Sequence, residues 1–130
     1  MASERKIAAP APNPETEAFW DGAKSGKLLL KKCAACGAVH YYPRAICPFC
    51  FSDRTQWQEA TGEGTIYSYS VMRRVPIPYA IAYVTLAEGI SMMTNIVDCD
   101  LDRVRIGQKV KLVWKPSEGG PPVPMFTPIS

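Results

Sequence analysis

At 130 residues the chain has room for one domain, or for two small modules sharing a core. Its 47% hydrophobic and 21% charged content is that of a globular chain, and a net charge of +3 lacks the concentrated basic field of a dedicated nucleic-acid binder. No apolar run approaches the ~20 residues of a membrane span. Met1-Ala-Ser-Glu-Arg-Lys has no hydrophobic stretch behind its charges, so a cytoplasmic setting is expected rather than secretion.

Residues 1–13 are rich in Ala and Pro without periodicity and read as a mobile arm. Asn13-Pro14-Glu15 then looks like a helix start, with Asn13 as N-cap, Pro14 in the first helical position and Glu15 and Glu17 near the positive end of the dipole. The predicted helix runs to about Ser25 and stops at Gly26. It carries Phe19 and Trp20, which point about 100° apart and cannot share one narrow groove. Packing on their own domain is one reading. Because a short helix on a mobile arm has little core of its own, the other is that one of them meets a partner chain.

Lys27–Lys32 reads as a short strand entering Cys33-Ala-Ala-Cys36-Gly37, and after ten residues comes Cys47-Pro48-Phe49-Cys50. These pairs hold four of the five cysteines. Thiolates suit Zn²⁺ in a tetrahedral Cys₄ site, and a two-residue gap lets one tight turn present both sulfurs to one ion. Gly37 sits where such a turn needs a positive φ. Cys33, Cys36, Cys47 and Cys50 are therefore the predicted ligands of one structural zinc per chain. The alternative, two disulfides or loose core thiols, fits poorly with two such pairs and with a reducing compartment. His40, in a β-like run from Ala38 to Arg44, would be a fifth ligand on a closed site and reads as a packing or surface residue. A closed site leaves no position for water or substrate, so this zinc folds the protein instead of doing chemistry.

From Thr55 the pattern turns to β. Trp57 lies in a short run, Thr61-Gly62-Glu63-Gly64 breaks the chain, and Thr65–Val71 alternates apolar with hydroxyl residues at period two. Arg73-Arg74-Val75-Pro76-Ile77-Pro78 is a proline-restrained loop, followed by predicted strands at Tyr79–Leu86, Ile90–Val97 and Lys109–Lys115. The segment Pro116–Pro122 reads as a loop before a last short strand around Val123–Thr127. The predicted class is mainly β: a short N-terminal helix and zinc ribbon over 14–58, then a five-stranded OB-fold barrel over 59–130.

Catalytic machinery is not evident. Cys99, the one thiol outside the ribbon, lies between Asp98 and Asp100, which disfavour its thiolate. The sole histidine is far away in sequence, and no nucleophile elbow or phosphate loop is present. Asp98, Asp100 and Asp102 have calcium-loop spacing without its glycine or distal glutamate and read as a solvated turn.

Several ordered motifs carry a family resemblance: Phe19-Trp20, Gly26-Lys27-Leu28, the two cysteine pairs, Tyr42-Pro43-Arg44, Gly62-x-Gly64-Thr65-Ile66-Tyr67-Ser68-Tyr69-Ser70-Val71, Glu88-Gly89 and Ile106-Gly107-x-x-Val110. Over residues 14–127 the chain resembles the OB-fold acyl-CoA-associated family with a rubredoxin-like zinc ribbon, first catalogued as a domain of unknown function. The resemblance implies a small accessory subunit, itself without catalytic residues, in a hetero-oligomer with a thiolase-superfamily enzyme. Such partners are acyltransferases, aldolases, or a thiolase bridged to hydroxymethylglutaryl-CoA synthase, and the small subunit can wall part of an acyl-CoA channel. Phe19, Trp20, Arg73, Arg74 and Tyr79 are the candidates for a partner interface or acyl-CoA path. The competing expectation is an OB-fold that binds single-stranded nucleic acid, with Tyr67, Tyr69, Tyr79 and Tyr83 for stacking and Arg73, Arg74, Lys109, Lys111 and Lys115 for charge. Residues 61–130 hold seven basic and six acidic side chains, however, too near balance for strong counterion release.

Overall fold

The computed structural model describes residues 6–129. Residues 1–5 of the predicted arm lie outside the described residues. Beyond them, the Ile7 carbonyl accepts a hydrogen bond from the Glu118 N–H at 2.9 Å.

Asn13 and Thr16 lock each other. The Asn13 Oδ1 accepts from the Thr16 N–H at 3.0 Å, and the Asn13 N–H donates to Thr16 Oγ1 at 3.1 Å. The lock folds 14–16 into a turn, so helix α1 spans Glu17–Lys24 and starts later than Pro14 suggests. Asn13 caps that turn rather than the helix. At the other end Gly26 takes φ +77°, and the N–H groups of Lys27 and Gly26 reach the carbonyls of Gly22 and Ala23. Those two bonds make a Schellman ending, as Gly26 implied.

The ribbon contributes an antiparallel sheet in which β1 (Leu29–Cys33) lies between β2 (Val39–His40) and β3 (Thr55–Glu59). Five further strands close into a barrel: β4 (Glu63–Met72), β5 (Tyr79–Leu86), β6 (Ser91–Ile96), β7 (Lys109–Ser117) and β8 (Gly120–Pro128). Their order around it is β4-β5-β6-β8-β7, the closed five-strand OB arrangement. Strand β5 shows why it forms: Ala80, Ala82, Val84 and Leu86 are buried at period two. Gly64 is needed for close approach, since a Cβ there would stand 2.5 Å from Val84 Cγ1 and 2.9 Å from the Thr85 carbonyl.

Strand β8 differs from expectation. It begins at Gly120, inside the predicted loop, and continues through Pro121, Pro122 and Pro124. The Leu112 N–H donates to Gly62 and so points away from its β8 partner Phe126. By alternation, even-numbered residues of β8 turn their backbone groups away from β7. Pro122 and Pro124 therefore cost the β7–β8 ladder nothing.

Helix, ribbon and barrel share one core. Phe19, Trp20 and Ala23 of α1 join Leu28 and Leu30 of the ribbon and Ile66, Val84, Val110 and Phe126 of the barrel in a single buried cluster. Among the described residues no helix is long and apolar enough to cross a membrane.

Candidate metal centre and surrounding surfaces

The two cysteine pairs fold as copies of one turn. In the first, the Gly37 N–H donates to the Cys33 carbonyl at 2.8 Å and the Cys36 N–H approaches Cys33 Sγ at 3.4 Å. In the second, the Phe51 N–H donates to the Cys47 carbonyl at 2.9 Å and the Phe49 N–H approaches Cys47 Sγ at 3.4 Å. Each turn ends in a left-handed residue, Gly37 at φ +80° and Phe51 at φ +65°. Sequence reasoning located the glycine but not its counterpart, because phenylalanine carries no signal for that conformation.

The turns face each other and gather all four sulfurs within 4.8 Å. Cys33 Sγ lies 3.5 Å from Cys50 Sγ, and Cys36 Sγ lies 3.7 Å from Cys47 Sγ. A tetrahedral ion with Zn–S bonds of ~2.3 Å needs sulfurs roughly 3.8 Å apart, so the donor set fits Zn²⁺. The Cys36 N–H, with help from the Cys50 thiol, holds the Cys33 thiol down at about 6, while the neighbouring sulfurs push Cys50 up to about 12. Cys33 and Cys47 are buried while Cys36 and Cys50 are exposed, so the centre lies at the surface with one side against the sheet.

His40 stands apart from the sulfur set. It is buried, and its Nε2 accepts the Arg44 N–H at 3.2 Å, a bond that requires the neutral ring. Burial first, and then the Lys31 and Arg44 charges, hold its pKa below the usual value.

Phe19 and Trp20, the candidates for a partner contact, pack within their own chain. Phe19 is 0% and Trp20 6% exposed. The Phe19 ring stands edge-on to Trp20 and Tyr42, with centroids 4.8 and 5.4 Å away, and Trp20 Nε1 donates to the Tyr42 hydroxyl at 2.7 Å. Their 100° separation is satisfied by two different walls of the same chain. Besides Tyr42, the ribbon exposes Ile46, Phe49 and Phe51 on the second cysteine turn, with Phe51 78% exposed.

On the barrel, Arg73, Arg74 and Tyr79 bracket the proline-stiffened loop. Arg73 Nη2 pairs with Asp102 at 2.8 Å in solvent, Arg74 is exposed, and Tyr79 is half-buried. Tyr79 lines a groove of about 460 Å³ with Ile77, Pro78, Leu101, Cys99 and Lys115. Burial, reinforced by Asp100 and Asp98, raises the Cys99 thiol pKa. The three aspartates do not converge: Asp98 pairs with Lys115 at 2.7 Å, Asp102 with Arg73, and Asp100 accepts from the Asp102 N–H at 2.9 Å. These pairs also engage two of the cations, Arg73 and Lys115, on which a nucleic-acid groove would depend.

Comparison with known proteins agrees with this geometry. Residues 20–56 match the family model described as the ChsH2 rubredoxin-like zinc ribbon domain, and residues 57–115 match the ChsH2 C-terminal OB-fold domain. A probable enoyl-CoA hydratase alpha subunit of Thermomonospora curvata is 36% identical over 97% of this chain, which spans only 42% of that protein. A DUF35 domain-containing scaffold protein of Methanothermobacter thermautotrophicus is 37% identical over 68% of this chain and 71% of its own length. Among solved structures, a chain of the Ltp2-ChsH2(DUF35) aldolase superposes with a TM-score of 0.80 at 35% identity, covering 92% of this chain and 98% of that one. None of these relatives is described as a nucleic-acid binder, and that competing reading has no support. By sequence and by fold, the chain belongs to the DUF35 family, as a ChsH2-type zinc ribbon joined to an OB-fold barrel.

Proposed function

We propose that this chain is an accessory subunit, without catalytic residues of its own, that binds a thiolase-superfamily enzyme and supports acyl-CoA or acyl-group transfer in the resulting hetero-oligomer. The observation that carries this reading is the likeness to the DUF35 chain of a solved aldolase complex over nearly all of both chains. The names of two relatives, an enoyl-CoA hydratase subunit and a scaffold protein, agree with a role beside acyl-CoA enzymes.

Zinc supplies rigidity in this scheme. One ion on Cys33, Cys36, Cys47 and Cys50 fixes the second cysteine turn, and with it the exposed Ile46, Phe49 and Phe51 that offer a hydrophobic contact to the enzyme. Arg74 and the Arg73–Pro78 loop, beside the groove at Tyr79, flank the path of the CoA thioester. Guanidinium groups suit phosphate, and the groove wall suits an acyl chain.

The test is reconstitution with a thiolase-like subunit of ~40 kDa. Co-elution and acyl-transfer or C–C cleavage activity that needs both chains are expected. Separate elution at physiological salt, or a salt-dependent shift of a labelled oligonucleotide, would overturn the reading. For the loop, replacing Arg73 and Arg74 with Ala is expected to raise the apparent KM for the CoA thioester; an unchanged KM removes them from the path.

A further inference from the structure

One wall of the large barrel groove comes from outside the barrel. The groove, of about 460 Å³, is built by barrel strands and the loops between them, with the exception of Ile7. Ile7 is half-buried while Lys6, Ala8 and Ala9 are exposed, so it is the side chain that this stretch turns inward. Ile77, Val97, Leu101 and Met125 line the groove with it. The charged residues in the lining are Lys115 and Asp98, which neutralise each other at 2.7 Å. The volume lies within the ~300–1,000 Å³ of small-molecule sites, and the lining is mainly apolar.

Residues 6–12 have no regular secondary structure, and Pro10 and Pro12 keep a helix from forming there. The downstream end is fixed, because the reciprocal Asn13–Thr16 bonds fasten it to the turn before α1. The upstream end is held lightly. The Ile7 carbonyl accepts from the Glu118 N–H at 2.9 Å, and Ala9 lies on Gly120, where a Cβ would stand 2.7 Å from Ala9 Cβ. Among the described residues, that is the one hydrogen bond between residues 6–12 and the barrel, and no ion pair joins it. Few buried contacts and a single main-chain bond are the marks of a segment that opens locally while the rest stays folded.

We infer that residues 6–9 form a lid on this groove, which lifts to admit an extended apolar chain and closes over it with Ile7 as the covering side chain. The groove has its full volume with Ile7 in place, so Ile7 walls the space instead of filling it. That makes the segment a cover and not a plug. The inference deepens the accessory-subunit reading by naming how its groove opens, and rests on that reading only for taking the chain as the acyl part of a thioester.

The test uses the zinc-loaded full chain and a dansyl-labelled undecanoic acid. Enhanced dansyl fluorescence is expected on binding, and Leu101→Glu, which sets a charge in the apolar lining, is expected to abolish it. At saturating probe, exchange of the Glu118 amide is expected to slow about tenfold, because a closed lid keeps that N–H on the Ile7 carbonyl. A fixed wall would leave the exchange unchanged. Ile7→Ala is expected to weaken binding about fivefold. Gly120→Ala does not line the groove but pushes Ala9 off the barrel, and it is expected to weaken binding to a similar extent. The two together are expected to cost little more than either alone, since both undo one closure. If Gly120→Ala fails to fold, Ile7→Ala and the Glu118 exchange decide. Absent binding, binding that survives Leu101→Glu, tighter binding by either lid variant, or unchanged Glu118 exchange would each overturn the inference. None of these measurements needs the enzyme subunit. Their failure with co-elution intact leaves the accessory reading standing, and their success without co-elution leaves only the lid.

Discussion

Gly37 and Phe51 occupy the same place in two copies of one turn, yet only one of them is suited to a left-handed backbone. A Cβ at Gly37 would meet nothing within 4 Å, so Gly37→Ala tests conformation alone. It is expected to cost about 1–2 kcal/mol, read as a lower urea midpoint for the zinc-loaded chain. The exposed Phe51 ring loses little packing when removed, so Phe51→Gly is expected to leave that midpoint level or raise it. A large drop would show that the ring is held by contacts of its own. Cys36→Ser removes one of four converging sulfurs and is expected to release zinc and unfold the ribbon, checked by metal content and a melting curve. His40 sets a pH dependence. Its folded pKa lies below its unfolded one, so the unfolded chain takes the proton first as pH falls. Its contribution is fully present above about pH 6.5 and declines from there toward the folded value. The native chain is therefore expected to lose more stability between pH 7.5 and 5.5 than His40→Gln, measured at saturating zinc.

Helix α1 gains its stability from what it covers, not from its length. Eight residues are too few to persist alone, and burial of Phe19 and Trp20 against Tyr41, Tyr42 and β8 holds the helix in place. Phe19→Ala is expected to cost about 3–5 kcal/mol, measured by chemical denaturation. Removing the Tyr42 hydroxyl leaves Trp20 Nε1 without its acceptor and is expected to cost about 1–3 kcal/mol. The fate of these two aromatics was not legible in the sequence, because tyrosines more than twenty residues downstream provide their wall. The metal ligands were legible, since two adjacent pairs with a fixed gap encode a turn locally. Strand β5 was equally plain from its alternation of small and branched apolar residues. Strand β8 was half hidden: prolines signal a loop unless their missing N–H groups are known to face away from the β7 ladder, and that is a property of the barrel.

The zinc ribbon and the barrel are separate matches as families but one body as a packed molecule. Leu28 and Leu30 sit in the same cluster as Val84 and Phe126, and the Ala60 N–H donates to the Leu28 carbonyl at 2.8 Å across the junction. Chelation of zinc is thus expected to lower the melting temperature of the barrel as well, followed at Trp114 separately from Trp20 and Trp57. Unchanged barrel melting after complete metal removal would show that the two halves fold independently. Strand β7 has a further use. The Ile7 carbonyl is tied beside its far end at Glu118, and the Ile129 N–H donates to Lys109 at its near end. Nine strand residues of ~3.3 Å each separate those anchor points by roughly 25–30 Å. Dyes attached near residues 7 and 129 would therefore sit within energy-transfer range across a strand of fixed length. The protein thus carries a built-in molecular ruler, whose reading changes when the barrel opens or the Ile7 tie is released.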